Sequence, residues 1–281
     1  MSGKPARVVF VKFGGSLITD KTARFAVREE VLARLAQELA EALERVPELR
    51  VVVGHGSGSF GHVVARETGY HRERGFPSAE AMARVGDAAA RLNALVRAAL
   101  LAAGVPAVSL PPSASGAGSR GELWTLAVEP YERLLAWGGV PLTYGDVVAA
   151  PEGGTVVSTE TIFRILAPHL RPARILLLGE VAGVYTANPH VSSPDAPPPA
   201  LIPTITPATW QAIRTGLAGA RGADVTGGMA AKVNDMVTLV HSLPGLDVLV
   251  ASGLKPGVLR DALLGRPVAG TWIRGDEHEG T

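Results

Sequence analysis

Twice in its N-terminal quarter the chain runs from a short apolar, β-branched segment straight into a glycine turn. Residues 8–13 end in Gly14-Gly15-Ser16, and Val51-Val52-Val53 leads to His55-Gly56-Ser57-Gly58-Ser59-Phe60-Gly61-His62, with helix-like sequence from Val63. An apolar run without polar alternation reads as a strand buried on both faces, which requires a sheet covered by helices. Glycines at the end of such a strand let backbone N–H groups approach an anion, and the start of the next helix adds partial positive charge.

The rest of the chain repeats the alternation. Over 27–46, Val27, Val31, Leu35, Leu39 and Leu43 recur every four residues with charges between them, which predicts a helix. A second long helix is predicted over 78–103, with Ser78 as N-cap and Glu80 in the first turn. Strands are predicted at 107–110, at 140–143 leading into Tyr144-Gly145-Asp146, at 174–178 ending in Gly179-Glu180-Val181-Ala182-Gly183-Val184-Tyr185, and at 248–251. Helices are predicted at 206–217, with Thr206 as cap and Pro207 at the first position, and at 229–242 after Gly227-Gly228. The proline-rich stretch 193–203 reads as a surface connection. The fold class is therefore α/β with a mostly parallel central sheet, a single domain over 1–281 whose two lobes meet near residue 170.

Composition narrows the function. With 47% hydrophobic and 19% charged residues the chain is an ordinary globular protein. A net charge of +1 gives no global field for nucleic acid or membrane, so any anion binding is local. The absence of cysteine excludes disulfide and thiolate chemistry. No apolar run reaches the roughly 18 residues of a spanning helix, and the start of the chain leads directly into a strand, so the expectation is a cytoplasmic enzyme with small-molecule partners.

Gly56, Gly58 and Gly61 fit the G-x-G-x-x-G spacing of a dinucleotide site. That reading needs a second strand and an acidic residue about 20 residues further on. Residues 67–80 are polar and broken instead, and neither turn continues into the Gly-Lys-Ser/Thr of a Walker loop. Two glycine turns at the carboxyl edge of a parallel sheet remain, where ligands bind. Lys12 interrupts an apolar strand, which is costly unless its charge meets a partner or snorkels to solvent; Lys21, in Thr19-Asp20-Lys21, is either a second anion contact or a surface lysine.

Together these residues resemble the amino-acid kinase superfamily and, within it, the isopentenyl phosphate kinase branch. The resemblance is carried by residues 11–21, by His55 to His62 with Ala65, and by Val140-Pro141-Leu142-Thr143-Tyr144-Gly145-Asp146-Val147. It continues in Gly183-Val184-Tyr185 with Asn188-Pro189 and in Asp224-Val225-Thr226-Gly227-Gly228-Met229 with Lys232. The fosfomycin kinases share a similar turn and histidine, so that branch stays open. The resemblance implies an α/β/α sandwich, the phosphate acceptor in the N-terminal lobe and ATP in the C-terminal one. The implied reaction converts isopentenyl phosphate to isopentenyl diphosphate by direct in-line phosphoryl transfer, in an alternative mevalonate route to isoprenoids.

Carried over residue by residue, the resemblance implies that Lys12 and Lys232 hold the transferring phosphoryl oxygens and Lys21 approaches the terminal phosphates of ATP. Gly56, Ser57, Gly58, Gly61, His62 and Asp146 would serve the acceptor; Gly14, Gly15, Ser16, Gly179, Gly183, Tyr185, Gly227 and Gly228 would serve ATP with the three lysines. His62 would donate to the acceptor phosphate and, near its ordinary pKa, carry positive charge. Read without the resemblance, His62 is a first-turn helix residue facing solvent, Asp146 a turn aspartate, and His55 a packing or loop-orienting group. Phe76, Met82 and Val85 are candidates for an isoprenoid-tail pocket and equally for core. Mg²⁺ would be held mainly by phosphates and water rather than by a protein cage, and a homodimer is implied. Two departures stand out: Ser158-Thr159-Glu160-Thr161 replaces a Ser-Gly-Asp-Asp-type segment, making Glu160 the lysine organiser, and Gly179-Glu180-Val181-Ala182-Gly183 replaces a Thr-Asp-Val-Asp-Gly segment, with neither of its two aspartates. Another acceptor on the same fold, or a non-catalytic nucleotide or amino-acid sensor, are the competing functions.

Overall fold

A computed structural model describes residues 7–20, 22–187, 198–219 and 229–276. The chain opens with β1 (Arg7–Phe13), a one-turn helix α1 (Gly15–Ile18), α2 (Glu29–Arg45), β2 (Leu49–His55), α3 (Gly58–Glu67), α4 (Ala79–Ala102) and β3 (Ala107–Ser109). A hairpin of β4 (Ala117–Ser119) and β5 (Glu122–Thr125), then α5 (Glu129–Trp137), β6 (Val140–Tyr144), a hairpin of β7 (Asp146–Val148) and β8 (Thr155–Val157), and α6 (Thr159–Leu170) lead to β9 (Arg174–Gly179). The remainder holds β10 (Thr204–Ile205), α7 (Pro207–Gly219), α8 (Met229–Ser242), β11 (Asp247–Ser252), α9 (Val258–Leu263) and β12 (Thr271–Ile273).

Eight strands form one sheet in the order β3-β6-β2-β1-β9-β11-β12-β10. Every neighbouring pair is parallel except β11 with β12, so the sheet is mostly parallel as the alternation requires. Strand periodicity divides β1 between two cores: Val9, Val11 and Phe13 enter the layer of α2, α4 and α9, while Phe10 enters that of α6 and α8. Lys12 has the parity of Phe10 and therefore faces α6. After β1 the chain builds outward to β2 on one side and returns at β9 on the other, so the order diverges at β1. The carboxyl ends of β1, β2 and β9 accordingly open a crevice there.

The glycine turns themselves are packed backbone on backbone. A Cβ on Gly15 would lie 2.4 Å from the Gly58 nitrogen, and one on Gly56 would lie 2.8 Å from the Gly15 nitrogen. Gly58 also has φ of +48°, a conformation that L side chains rarely adopt. Thr19 ties the turns together: its Oγ1 donates to the Gly15 carbonyl (2.8 Å) and accepts from the Ser59 amide (3.0 Å).

Most predicted elements stand within a few residues of their expected bounds. Ser78 caps α4, its Oγ accepting from the Ala81 amide at 3.1 Å, and the Thr209 amide donates to Thr206 Oγ1 at 3.3 Å at the start of α7. One boundary needs correction: α3 starts at Gly58 rather than 63, so His62 sits in its second turn. Glycine and serine are weak helix formers, and contact with the first turn overrides that preference. Of the stretch 193–203, residues 198–203 are described; Leu201 bridges Tyr185, and the Ile202 amide donates to the Val184 carbonyl at 2.8 Å. Among the described residues no helix is long and apolar enough to cross a membrane.

Candidate functional site

Glu160 reaches the crevice because of how α6 begins and what it packs on. Ser158 Oγ accepts from the Thr161 amide at 3.1 Å, capping the helix and putting Glu160 in its first turn. The helix then lies directly on β2: a Cβ on Gly54 would fall 2.4 Å from Thr159 Cγ2 and 2.9 Å from the Phe163 ring. Thr159 Oγ1 donates to the His55 carbonyl at 2.6 Å, which fixes the register. That close approach brings Glu160 over the neighbouring strand, where Lys12 Nζ donates to Glu160 Oε1. Lys232 Nζ, from the first turns of α8, stands 3.7 Å from the same oxygen.

The electrostatics follow from this burial. Lys12 is 8% and Glu160 4% exposed. Burial pushes the Glu160 carboxyl up, but the charges of Lys12 and Lys232 outweigh it and hold it at about 2. Lys12 is lowered, chiefly by burial, although Glu160 supports its charge. Of the two readings of Lys12, the buried and partnered one is correct.

Two cavities meet at these groups. The larger, about 710 Å³, is lined by Gly14, Gly15 and Ser16 from the first turn, Gly58 from the second, and Gly179 and Glu180 at the end of β9. The smaller, about 440 Å³, is lined by Ser57, Gly61 and Asp146 and by the apolar Ala65, Val85 and Val156. Lys12, Gly56, His62, Glu160 and Lys232 line both. Each volume falls in the range of small-molecule sites.

His62 faces the shared junction with its pKa lowered, first by burial and then by Lys232, Lys12 and Arg66. The expectation of a histidine near its ordinary pKa is thereby corrected: burial first, and the neighbouring cations second, disfavour the imidazolium. Asp146 is buried, and burial raises its pKa. Its oxygens accept from the amides of Val147 (2.8 Å) and Ser113 (3.2 Å), so the turn-aspartate reading holds even though the residue borders the smaller cavity.

Other expected residues are placed elsewhere. A Cβ on Gly183 would meet Thr271 Oγ1 at 2.5 Å, so this glycine serves close packing on β12, and neither it nor Tyr185 is among the described lining of either cavity. Phe76, Met82 and Val85 all pack with Val64 and Val147 in a small core beneath the β7–β8 hairpin, and of the three Val85 also borders a cavity. Lys21, Asn188, Pro189, 224–226, Gly227 and Gly228 lie outside the described residues. Arg66 and Met236, which line the larger cavity, and Tyr70 and Arg72, which line the smaller, escape sequence reasoning. Only Arg66 carried a signal, standing four residues after His62 on one helix face.

Residues 7–252 match the model of the amino acid kinase family. The chain is 34% identical over 277 residues to the isopentenyl phosphate kinase of Methanothermobacter thermautotrophicus, covering 95% of this chain and 99% of that protein. It is 37% identical over 258 residues to the isopentenyl phosphate kinase of Haloferax volcanii, covering 90% and 98%. Among solved structures, an X-ray structure of isopentenyl phosphate kinase superposes with a TM-score of 0.78 at 29% identity, covering 95% of this chain and all of that one.

Proposed function

The chain belongs to the amino acid kinase family, in its isopentenyl phosphate kinase branch, and from that premise we propose that it transfers the terminal phosphoryl group of ATP to isopentenyl phosphate, giving isopentenyl diphosphate and ADP. The observation that carries the reading is the junction of two cavities at one set of cations, with glycine turns on one side and apolar walls on the other. In this reading ATP occupies the larger cavity, toward the lobe after about residue 170, and the acceptor the smaller.

Phosphoryl transfer asks for in-line placement and charge neutralisation rather than covalent help. A phosphate monoester has its second pKa near about 6, so at neutral pH the acceptor oxygen carries no proton that must be removed. No catalytic base is required, and the junction is built accordingly: among the described residues its one carboxylate, Glu160, is engaged by two lysines. Lys12 and Lys232 would hold the transferring oxygens from opposite sides, with Lys21 at the terminal phosphates. The turn amides of Gly14, Gly15, Gly56 and Gly58 would receive phosphate oxygens. Neutral His62 would donate its N–H to the acceptor phosphate; binding that dianion favours the imidazolium, so charge arrives with the substrate. Ala65, Val85 and Val156 would receive the isoprenoid tail.

Mg²⁺ would be carried by phosphate oxygens and water. The two carboxylates at the larger cavity are already paired, Glu160 with the lysines and Glu180 with Arg28 at 3.0 Å, and no cluster of metal-ligating side chains occurs among the described residues. Bound there, the ion would neutralise charge on the polyphosphate. A homodimer is part of the same proposal and is read by light scattering. The deciding assay compares ADP release with isopentenyl phosphate, dimethylallyl phosphate and fosfomycin. Preference for isopentenyl phosphate is expected; no turnover of it at millimolar concentration would refute the reading.

A further inference from the structure

Among the described residues His55 is the one fully buried imidazole beside the site, and the chemistry above gives it no task. It ends β2, and its ring points to the α4 side of the sheet, away from both cavities, stacked on Tyr144 at 5.4 Å between centroids. Three hydrogen bonds in series reach it and leave it. Ser109 Oγ donates to Asn93 Oδ1 (2.6 Å), Asn93 Nδ2 meets His55 Nε2 (3.1 Å), and His55 Nδ1 meets the Gly56 carbonyl (3.0 Å). The directions are mutually consistent in one state only. Asn93 has given its oxygen to Ser109, so its amide group donates to Nε2, and a neutral ring then carries its proton on Nδ1 and donates it to Gly56. Burial agrees, holding the His55 pKa down to about 4.

The last bond matters because a peptide unit is planar and trans: fixing the Gly56 carbonyl toward His55 turns the Ser57 N–H to the opposite side. Ser57 lines the smaller cavity and Gly56 lines both. We propose that His55 is a positioning residue for the acceptor phosphate, its Nδ1–H holding the Gly56–Ser57 peptide so that the Ser57 amide faces the acceptor cavity. The main chain of His55 works with the ring. Its carbonyl accepts from Thr159 Oγ1 (2.6 Å) and from the Gly145 amide (3.0 Å), so one residue sets the glycine turn, the start of α6 and the turn before Asp146.

The identity of the acceptor rests on the function proposed above, and the test separates the two. Asparagine places its amide nitrogen where Nδ1 lies, whereas glutamine places it where Nε2 lies. His55→Asn should therefore keep the bond to Gly56 and His55→Gln lose it. In the glutamine variant the KM for isopentenyl phosphate is expected to rise about tenfold, the loss of one hydrogen bond, with kcat and the KM for ATP little changed; the asparagine variant should stay near wild type. Ser109→Ala, remote from both cavities, should raise the same KM by a smaller factor through loosened Asn93. Hydrogen exchange of the peptide spanning 54–62, followed by mass spectrometry, supplies a readout free of substrate: it should quicken at the turn in His55→Gln but not in His55→Asn. If wild type fails to use isopentenyl phosphate, the proposed function falls while the exchange comparison still decides the role of His55. Equal effects of asparagine and glutamine in kinetics and exchange would reduce His55 to packing and overturn the proposal.

Discussion

Glu160→Gln removes the negative charge that Lys12 and Lys232 share while keeping the shape of the side chain. In the folded protein this carboxyl is held at about 2 against an ordinary 4.5, the lysines more than offsetting its burial. At about 1.4 kcal/mol for each tenfold change in proton affinity, the ionised form stabilises the fold by ~3 kcal/mol at neutral pH. Breaking a buried pair by deleting one partner has a similar typical cost, because the other charge is left uncompensated. For a chain of this length that corresponds to a melting temperature lower by about 6–12 °C.

The sign of the pH dependence separates this mechanism from a packing defect. A carboxyl whose folded pKa is depressed contributes fully above its unfolded value and loses the contribution as pH falls through the folded one. The gap between wild type and Glu160→Gln should thus be ~3 kcal/mol at pH 7 and roughly half of that at pH 3. Calorimetric melts of both proteins at the two pH values measure it. In kinetics the variant should lose its alkaline activity limb at lower pH. Burial and Lys232 both lower the pKa of Lys12, and the carboxylate that opposes them is gone. A variant that melts within about 2 °C of wild type at pH 7, or a gap that does not narrow in acid, would refute the reasoning.

His62→Ala should raise the KM for the phosphate acceptor by about 10- to 100-fold, the worth of a hydrogen bond to a charged group, with ATP affinity measured by calorimetry nearly unchanged. Collapse of ATP affinity instead would assign the turn to the nucleotide. Two glycines at comparable turns should part company. In Gly58→Ala the new Cβ would lie 2.2 Å from Thr19 Oγ1 at a positive φ, so the melting temperature should drop. Gly179→Ala, which meets nothing within 4 Å, should melt like wild type and perturb only the cavity it borders, read as a changed KM for ATP. His55 imposes an acid dependence of its own. With a folded pKa of about 4 against 6.5, the unfolded chain binds the extra proton in between, so stability is unpenalised above 6.5 and falls by ~3 kcal/mol as pH drops to 4. The decline in melting temperature between pH 6.5 and 4.5 should be shallower in His55→Asn.

Although α5 and α6 were not recognised, helices such as α2 and α4 were legible because each carries many repeats of one period: Val31 to Leu43 marks α2 four times over. The hairpins β4–β5 and β7–β8 were not, since strands of three or four residues hold too few alternations to stand out. Much of the site was legible for a different reason. Lys12 is anomalous within an apolar strand, and a buried lysine needs an anion. Sequence alone could not show that α6 rests on Gly54 and so delivers Glu160 to Lys12, because that pairing spans 148 positions and depends on one missing Cβ. Nor could it separate Phe76 and Met82 from Val85, three apolar residues in one region of which one reaches a cavity.

The glycines of the second turn show why a motif of spacing misleads where a motif of contacts does not. G-x-G-x-x-G describes Gly56, Gly58 and Gly61, yet the contacts that require glycine there in this fold are not those of a dinucleotide site. Gly56 and Gly58 lie against the backbone of Gly15, and a Cβ on Gly61 would strike the Ser57 side chain at 2.6 Å. Two of the three requirements come from another turn 40 residues earlier, which a dinucleotide fingerprint does not include. Stacked in this way, the turns put glycine backbone from two neighbouring parallel strands on one crevice, and neither turn alone would form it. Phosphates from two substrates need such a paired cradle, because in-line transfer fixes their relative positions to within a fraction of an ångström. In the proposed reaction the contact between Gly15 and Gly58 would therefore be as much a determinant of transfer geometry as either lysine.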